Sequence, residues 1–315
     1  MRRSLPLVAG MTSLALALAG CDFAPVAPTK PPAPRPAPRA EPAPVPVSAA
    51  SRALKARYAQ LQQNLLARGL MRTDGGGPDT PFGARELTEN FVRVALYDEY
   101  VYEGGRIVAA QTPSNLRRWE GPVRIGLEFG PSVSPETRAR DRASVAALVA
   151  RLARLTGLPV TVVDQGANFW VHIVSEDERP SLPPVWASRL DGLSPADFAP
   201  VAQLDPSTLC LVVAISNDTG AAYRGALAVV RSELPDLLRL SCLHEEIVQG
   251  FGLANDHPRA RPSIFNDDEE FATLTTHDEM LLRILYDRRL RPGMTEAQVR
   301  PILPAILSGL IAPPS

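Results

Sequence analysis

Residues 242–256 read Cys-Leu-His-Glu-Glu-Ile-Val-Gln-Gly-Phe-Gly-Leu-Ala-Asn-Asp, and this stretch concentrates side chains able to do chemistry. His244-Glu245 would begin a His-Glu-x-x-His zinc motif, but the fifth position is Val248, so the second imidazole is missing. One residue further on, Glu245-Glu246-x-x-Gln249-x-x-Gly252-x-x-Asn255 keeps an extended zinc-ligand spacing with every ligand position changed. Glu245 and Gln249, four apart, share one helix face. Gly252 lets the chain turn back, so that Asn255 or Asp256 approaches them. A catalytic zinc takes three protein ligands, commonly imidazole or carboxylate, and keeps one open position. One carboxylate and two amides make a weak zinc site. The oxygen-rich set Glu245, Gln249 and Asn255 suits calcium or magnesium better, and a hydrogen-bonded cluster without an ion is also chemically sound. Glu246 stands at the general-base position, where it needs a Lewis acid to activate water. The expectation is therefore no cofactor, with a weakly bound divalent cation as the alternative.

Other readings of the same residues are less specific. A Glu-Glu pair on a helix is commonly a solvated face, and Asn-Asp after a glycine is ordinary loop chemistry. His244, His257 and His277 lie near the stretch and His172 farther away. His244 would point about 100° around the helix from Glu245. The chain has no Gly-x-Ser-x-Gly elbow, no phosphate-binding loop and no dinucleotide fingerprint.

These residues need elements to position them. The spacing predicts a helix over residues 51–69 capped by Ser51, a loop over 73–78, a strand over 91–97 and a short strand near 106–109 after Gly104-Gly105. A strand over 122–129 precedes a helix over 136–156, stopped by Gly157. Strands follow at 159–163 and 169–174. Residues 179–206, punctuated by proline, read mostly as loop. Apolar strands at 209–215 and 223–230 lead into a helix from 234 or 235 to Gly250. The final residues read as helical, with capping boxes at Thr276/Glu279 and Thr295/Gln298, the last helix weakened by Pro301 and Pro304. One sheet with helices packed against it satisfies that order, an α+β architecture.

The N-terminus carries a different message. Met1-Arg2-Arg3 is followed by an uncharged apolar run to Gly20, too short for an ordinary span and flanked like a signal peptide. It ends in Leu18-Ala19-Gly20-Cys21, which resembles the lipobox of bacterial lipoproteins. The resemblance implies cleavage before Cys21 and lipidation of its thiol, a membrane partner facing the periplasm. Asp22 leaves inner against outer membrane open. Residues 22–50 hold ten prolines in twenty-nine positions. Such a segment favours extended polyproline II and reaches up to roughly 90 Å at about 3.1 Å per residue. The expected organisation is a signal segment over 1–20, lipidated Cys21 and tether over 21–50, a helical region and loop over 51–84, and a globular domain over 85–315. Without Arg2 and Arg3 the 33 basic residues become 31 against 34 acidic ones, a net charge of −3. That balance gives no nucleic-acid footprint. Beyond Cys21, Cys210 and Cys242 remain, an even pair that permits one disulfide contributing roughly 3–4 kcal/mol.

Several blocks resemble one family. Arg118–Val123, the stretch Cys242–Asp256, Pro262–Asp267, Leu282–Asp287 and Leu290–Met294 resemble DUF2927, a bacterial family of uncharacterised secreted or lipid-anchored proteins, over roughly residues 85–300. The family looks like a distant relative of the zincins, whose metzincin branch carries His-Glu-x-x-His-x-x-Gly-x-x-His at the spacing found above. The resemblance implies a zincin-like fold: a mixed sheet packed against a long helix and a degenerate active-site helix, with a helical C-terminal part. It implies a non-catalytic binding or assembly module of the envelope, its partner an envelope protein or peptidoglycan peptide. The rival is an envelope peptidase or hydrolase with an unconventional metal site and Glu246 as general base.

Overall fold

A computed structural model describes residues 45–103, 106–217, 222–266 and 268–311. The expected signal segment, Cys21, the tether up to residue 44 and the Gly104-Gly105 turn lie outside the described residues. In chain order the helices are α1 (Ala49–Ala67), α2 (Ala84–Ala95), α3 (Pro135–Thr156), α4 (Leu182–Ala187), α5 (Asp236–Gln249), α6 (Thr276–Leu285), α7 (Glu296–Val299) and α8 (Leu303–Ile311). The strands are β1 (Tyr97–Glu103), β2 (Arg106–Pro113), β3 (Val123–Phe129), β4 (Val160–Val162), β5 (Phe169–Val174), β6 (Cys210–Ser216) and β7 (Tyr223–Arg231). Among the described residues no helix is long and apolar enough to cross a membrane.

The sheet follows from its strands' composition. Every residue of β5 is buried, as are Leu227 to Arg231 of β7, which suits central strands covered on both faces. The order is β4-β3-β5-β7-β6. The first four strands run parallel and β6 pairs antiparallel with β7, Cys210 opposite Val230. β1 and β2 form a separate antiparallel hairpin. The period-two alternation of the central strands divides two cores. Phe169, Val171, Ile173, Ala226, Ala228 and Val230 join the main core, with Val145, Leu148 and Leu152 of α3 and Leu238, Leu243 and Ile247 of α5. Trp170, Val174, Leu227 and Val229 face the other way, against Leu182, Trp186, Phe198 and Val201.

That second core corrects the expected loop over 179–206. Residues Arg179–Ser181 and Pro195–Gln203 form 3-10 turns on either side of α4. Prolines at the helix starts sit where their missing N–H costs nothing, and the segment covers the sheet. The expected strand over 91–97 is also corrected. Residues Ala84–Ala95 are helical because Leu87, Phe91 and Val94 recur at helical spacing, and the Glu86 carboxylate accepts the Gly83 N–H at 3.1 Å. Two caps shift position. Ser48, not Ser51, caps α1, and the buried Ser51 hydroxyl donates instead to Glu233. Thr275 with Asp278, not Thr276 with Glu279, starts α6. Thr295/Gln298 caps α7 as expected, and Pro301 and Pro304 divide the last helical stretch in two.

Helix α5 is fastened along its length. At its start Arg239 pairs with Asp141 of α3 at 2.9 Å, both side chains buried, and the Gln62 side chain accepts the Leu238 N–H. In its middle Cys242 is disulfide-bonded to Cys210 of β6, with Cα atoms 5.9 Å apart, as the paired cysteines led us to expect. At its end the Trp119 indole donates to the Gly250 carbonyl at 2.8 Å and Tyr286 to that of Phe251 at 2.9 Å. Replacing both Cys210 and Cys242 by Ser is expected to lower stability by about 3–4 kcal/mol, from the loop released in the unfolded chain. Denaturant melts of the oxidised wild type and the double variant check it.

Candidate functional site

The last turns of α5, the start of β6 and the segment after α5 enclose a cavity of about 370 Å³. Each contributor has a local reason to face it. Glu245, Glu246 and Gln249 project from α5, and the Cys210–Cys242 disulfide holds that helix against β6. Gly252 has φ +114°, and a Cβ there would collide with the Arg117 carbonyl, so only glycine makes the turn. The turn brings Asp256 back to the cavity, where its carboxylate accepts from Gln249 Nε2 at 3.2 Å. The same amide nitrogen lies 3.4 Å from the Glu99 carboxylate of β1. Asn266 and Glu269 complete the polar lining from the following loop. Glu269 adopts φ +59° and its carbonyl accepts the Met71 N–H at 2.8 Å. A left-handed non-glycine residue costs about 1–2 kcal/mol, so tertiary contacts must hold this carboxylate where it is.

The sequence-derived residues divide. Glu245, Glu246 and Gln249 line the cavity together. Asn255 does not: it is fully buried, donates Nδ2 to the Arg93 carbonyl at 2.8 Å and its N–H to that of Val94, and so closes the end of α2. Asp256 takes the place facing Gln249. None of the four histidines lines the cavity. His244 Nδ1 accepts the Leu274 N–H on the opposite side of α5, and burial pulls its pKa down to about 4. His277 is buried beside Asn90, and His172 Nδ1 accepts from the Trp186 indole on the far face of the sheet. Glu99, Asn266 and Glu269 escaped the sequence reading. Asn266 lies inside one of the resembling blocks, whereas nothing local marks Glu99 or Glu269.

The electrostatics are one-sided. Five carboxylates, of Glu99, Glu245, Glu246, Asp256 and Glu269, line the cavity, and among the described residues no Lys, Arg or His does. Burial pushes Glu245 well above the ordinary carboxylate range, with Asp256, Glu246, Glu269 and Glu99 adding repulsion. Burial likewise raises Glu246, with Glu99 and Asp256 adding to it and the Val212 backbone N–H opposing. Glu269 is raised by burial and then by Asp268. Asp278, elsewhere in the core, shows what pairing changes. Burial pushes it up too, but His277, Ser263 and the Thr275 backbone outweigh that and hold it below its usual value. Against its burial Glu246 has the Val212 backbone N–H, which does not outweigh it. Its Oε2 and the Asn266 Oδ1 are buried oxygens with no hydrogen-bond partner among the described residues.

Ligand chemistry follows from these donors. Cys210 Sγ and one oxygen each of Glu245 and Glu246 lie within 4.8 Å of one another, a candidate divalent-metal cluster. The sulfur belongs to the disulfide and is no thiolate, so the useful donors are oxygens. Zinc prefers imidazole and thiolate, whereas calcium and magnesium take carboxylate and amide oxygens.

The model of a family described as "Protein of unknown function (DUF2927)" matches residues 84–305. No curated protein matches, and no solved structure matches.

The two kinds of buried carboxylate should respond oppositely to neutralisation. In chelator at pH 8, Glu246→Gln is expected to stabilise the fold by about 1–3 kcal/mol by removing an uncompensated buried charge. Asp278→Asn is expected to destabilise it by about 2–3 kcal/mol through lost charge-assisted hydrogen bonds. Denaturant midpoints of the two variants compare them directly.

Proposed function

The chain belongs to the DUF2927 family, and from that premise we propose that it is a non-proteolytic binding module of the cell envelope, a degenerate zincin that recognises a positively charged group. The observation that carries this reading is the cavity beside α5, lined by five carboxylates and by none of the four histidines. A zinc peptidase needs a Lewis acid to activate water for its general base, and this donor set is poorly matched to zinc. Glu246 keeps the general-base position on α5 without the imidazoles that would hold such a metal beside it. The sheet order supports kinship with zincins. A strand, a long helix, two further strands and an antiparallel edge strand precede a last central strand that feeds α5.

In this proposal Cys21 carries lipid and residues 22–50 set the domain off a membrane, so the cavity meets envelope components rather than nucleic acid. The partner class is an envelope protein or peptidoglycan peptide.

The test is metal content and peptide cleavage by the full chain, purified without a polyhistidine tag. No stoichiometric zinc by plasma mass spectrometry and no peptide cleavage are expected. Stoichiometric zinc that disappears in the Glu245→Ala/Gln249→Ala double variant, with cleavage abolished by Glu246→Gln, would overturn the reading in favour of an envelope peptidase.

A further inference from the structure

Two features of the cavity distinguish it from an ordinary acidic patch. The first is that two buried oxygens on its lining residues are acceptors without donors among the described residues. Glu246 is 4 % exposed and Asn266 6 %, and Glu246 Oε2 and Asn266 Oδ1 have no hydrogen-bond partner among the described residues. An unpaired buried acceptor costs about 1–3 kcal/mol, more when it is charged, so two on residues that line one cavity call for a ligand that accepts electron pairs. The second is that the acids come from separate parts of the chain: Glu99 from β1, Glu245 and Glu246 from α5, Asp256 and Glu269 from the segment that follows. The Gln249 amide donates to Asp256 at 3.2 Å and lies 3.4 Å from the Glu99 carboxylate.

We propose that this cavity is a binding site for a hard divalent cation of the calcium class, with Glu246 and Asn266 as its inner ligands and Glu245, Asp256 and Glu269 as the surrounding carboxylates. This deepens the binding-module reading, on which it rests, by naming the positive group. Calcium takes six to eight oxygens, mixes carboxylates with side-chain amides and retains waters in flexible geometry. A cavity of about 370 Å³ has room for an ion with such waters. A single ammonium or guanidinium would bring one charge to five carboxylates and could donate to few of them at once. A divalent ion draws oxygens from several directions, and here it would join the loop after Gly252 to α5. The ligand set differs from the one read from sequence: Asn266 and Glu269 enter, and Asn255 leaves.

The test uses the full chain, treated with chelator and dialysed, in titrations with CaCl2, MgCl2 and spermidine followed by calorimetry and thermal melting. At 1 mM CaCl2 the melting temperature is expected to rise by about 5 °C or more, the size expected when a ligand far above its Kd binds only the folded state. Glu246→Gln and, separately, Glu269→Gln are each expected to weaken calcium binding about tenfold or more. Circular dichroism and an intact disulfide report that the variants are folded, and Glu246→Gln should be more stable than wild type without cation. A chain that takes up neither calcium nor magnesium overturns the proposal, as does calcium binding unchanged in both variants. Spermidine binding with no response to either metal would also overturn it while leaving the binding-module reading standing. Stoichiometric zinc with peptide cleavage would remove both.

Discussion

The burial of carboxyl groups around the end of α5, with like-charge repulsion added to it, is the cost against which the surrounding structure has to hold. Glu245 and Glu246 are neighbours on that helix, and Glu99, Asp256 and Glu269 face them across one cavity whose lining, among the described residues, holds no basic side chain. Left to itself, such an arrangement would move apart or draw in water. It is restrained by strong local attachments: the Arg239–Asp141 pair at the start of α5, the disulfide in the middle and the Trp119–Gly250 bond at the end. Breaking a buried ion pair by removing one partner costs about 3–5 kcal/mol.

This explains why sequence blocks far apart in the chain belong together. Arg118 donates to the carbonyls of Asp287 and Leu290 at 3.1 and 2.9 Å, and its neighbour Trp119 reaches Gly250. Tyr286 bonds Phe251. Four of the resembling blocks thus meet behind the turn that carries the chain from α5 to Asp256. The fifth, around Pro262, is fixed by Asp278, which accepts the Ile264 N–H and the Ser263 hydroxyl and places Asn266 at the cavity. These blocks are a support for the acidic cavity more than they are the cavity itself.

The elements that carry strong local signals were legible in the sequence. Helix α3 shows its apolar periodicity and its Gly157 stop, the central strands their apolar runs, and α5 its length. The cysteine count led to the disulfide, and the four-residue spacing put Glu245 and Gln249 on one face. What stayed hidden depends on distant partners. The Phe91-Val92-Arg93-Val94 run has strand-like composition, which masks the helical spacing of Leu87, Phe91 and Val94 that the main core buries. Asn255 and Asp256 are adjacent acceptors, and the α2 carbonyls decide which is turned inward. Glu269 reaches the cavity through a positive φ and a bond from Met71, neither of which its neighbours in sequence announce.

The most direct measurement of what the acidic cavity does is an anomalous-scattering map from crystals grown with calcium and from crystals exchanged into manganese. The expected result is one peak inside the cavity, with oxygens of Glu246 and Asn266 about 2.3–2.6 Å from the calcium. A cavity without a peak, or a metal held instead by His244, His257 or His277, would contradict the assignment of these carboxylates to cation binding.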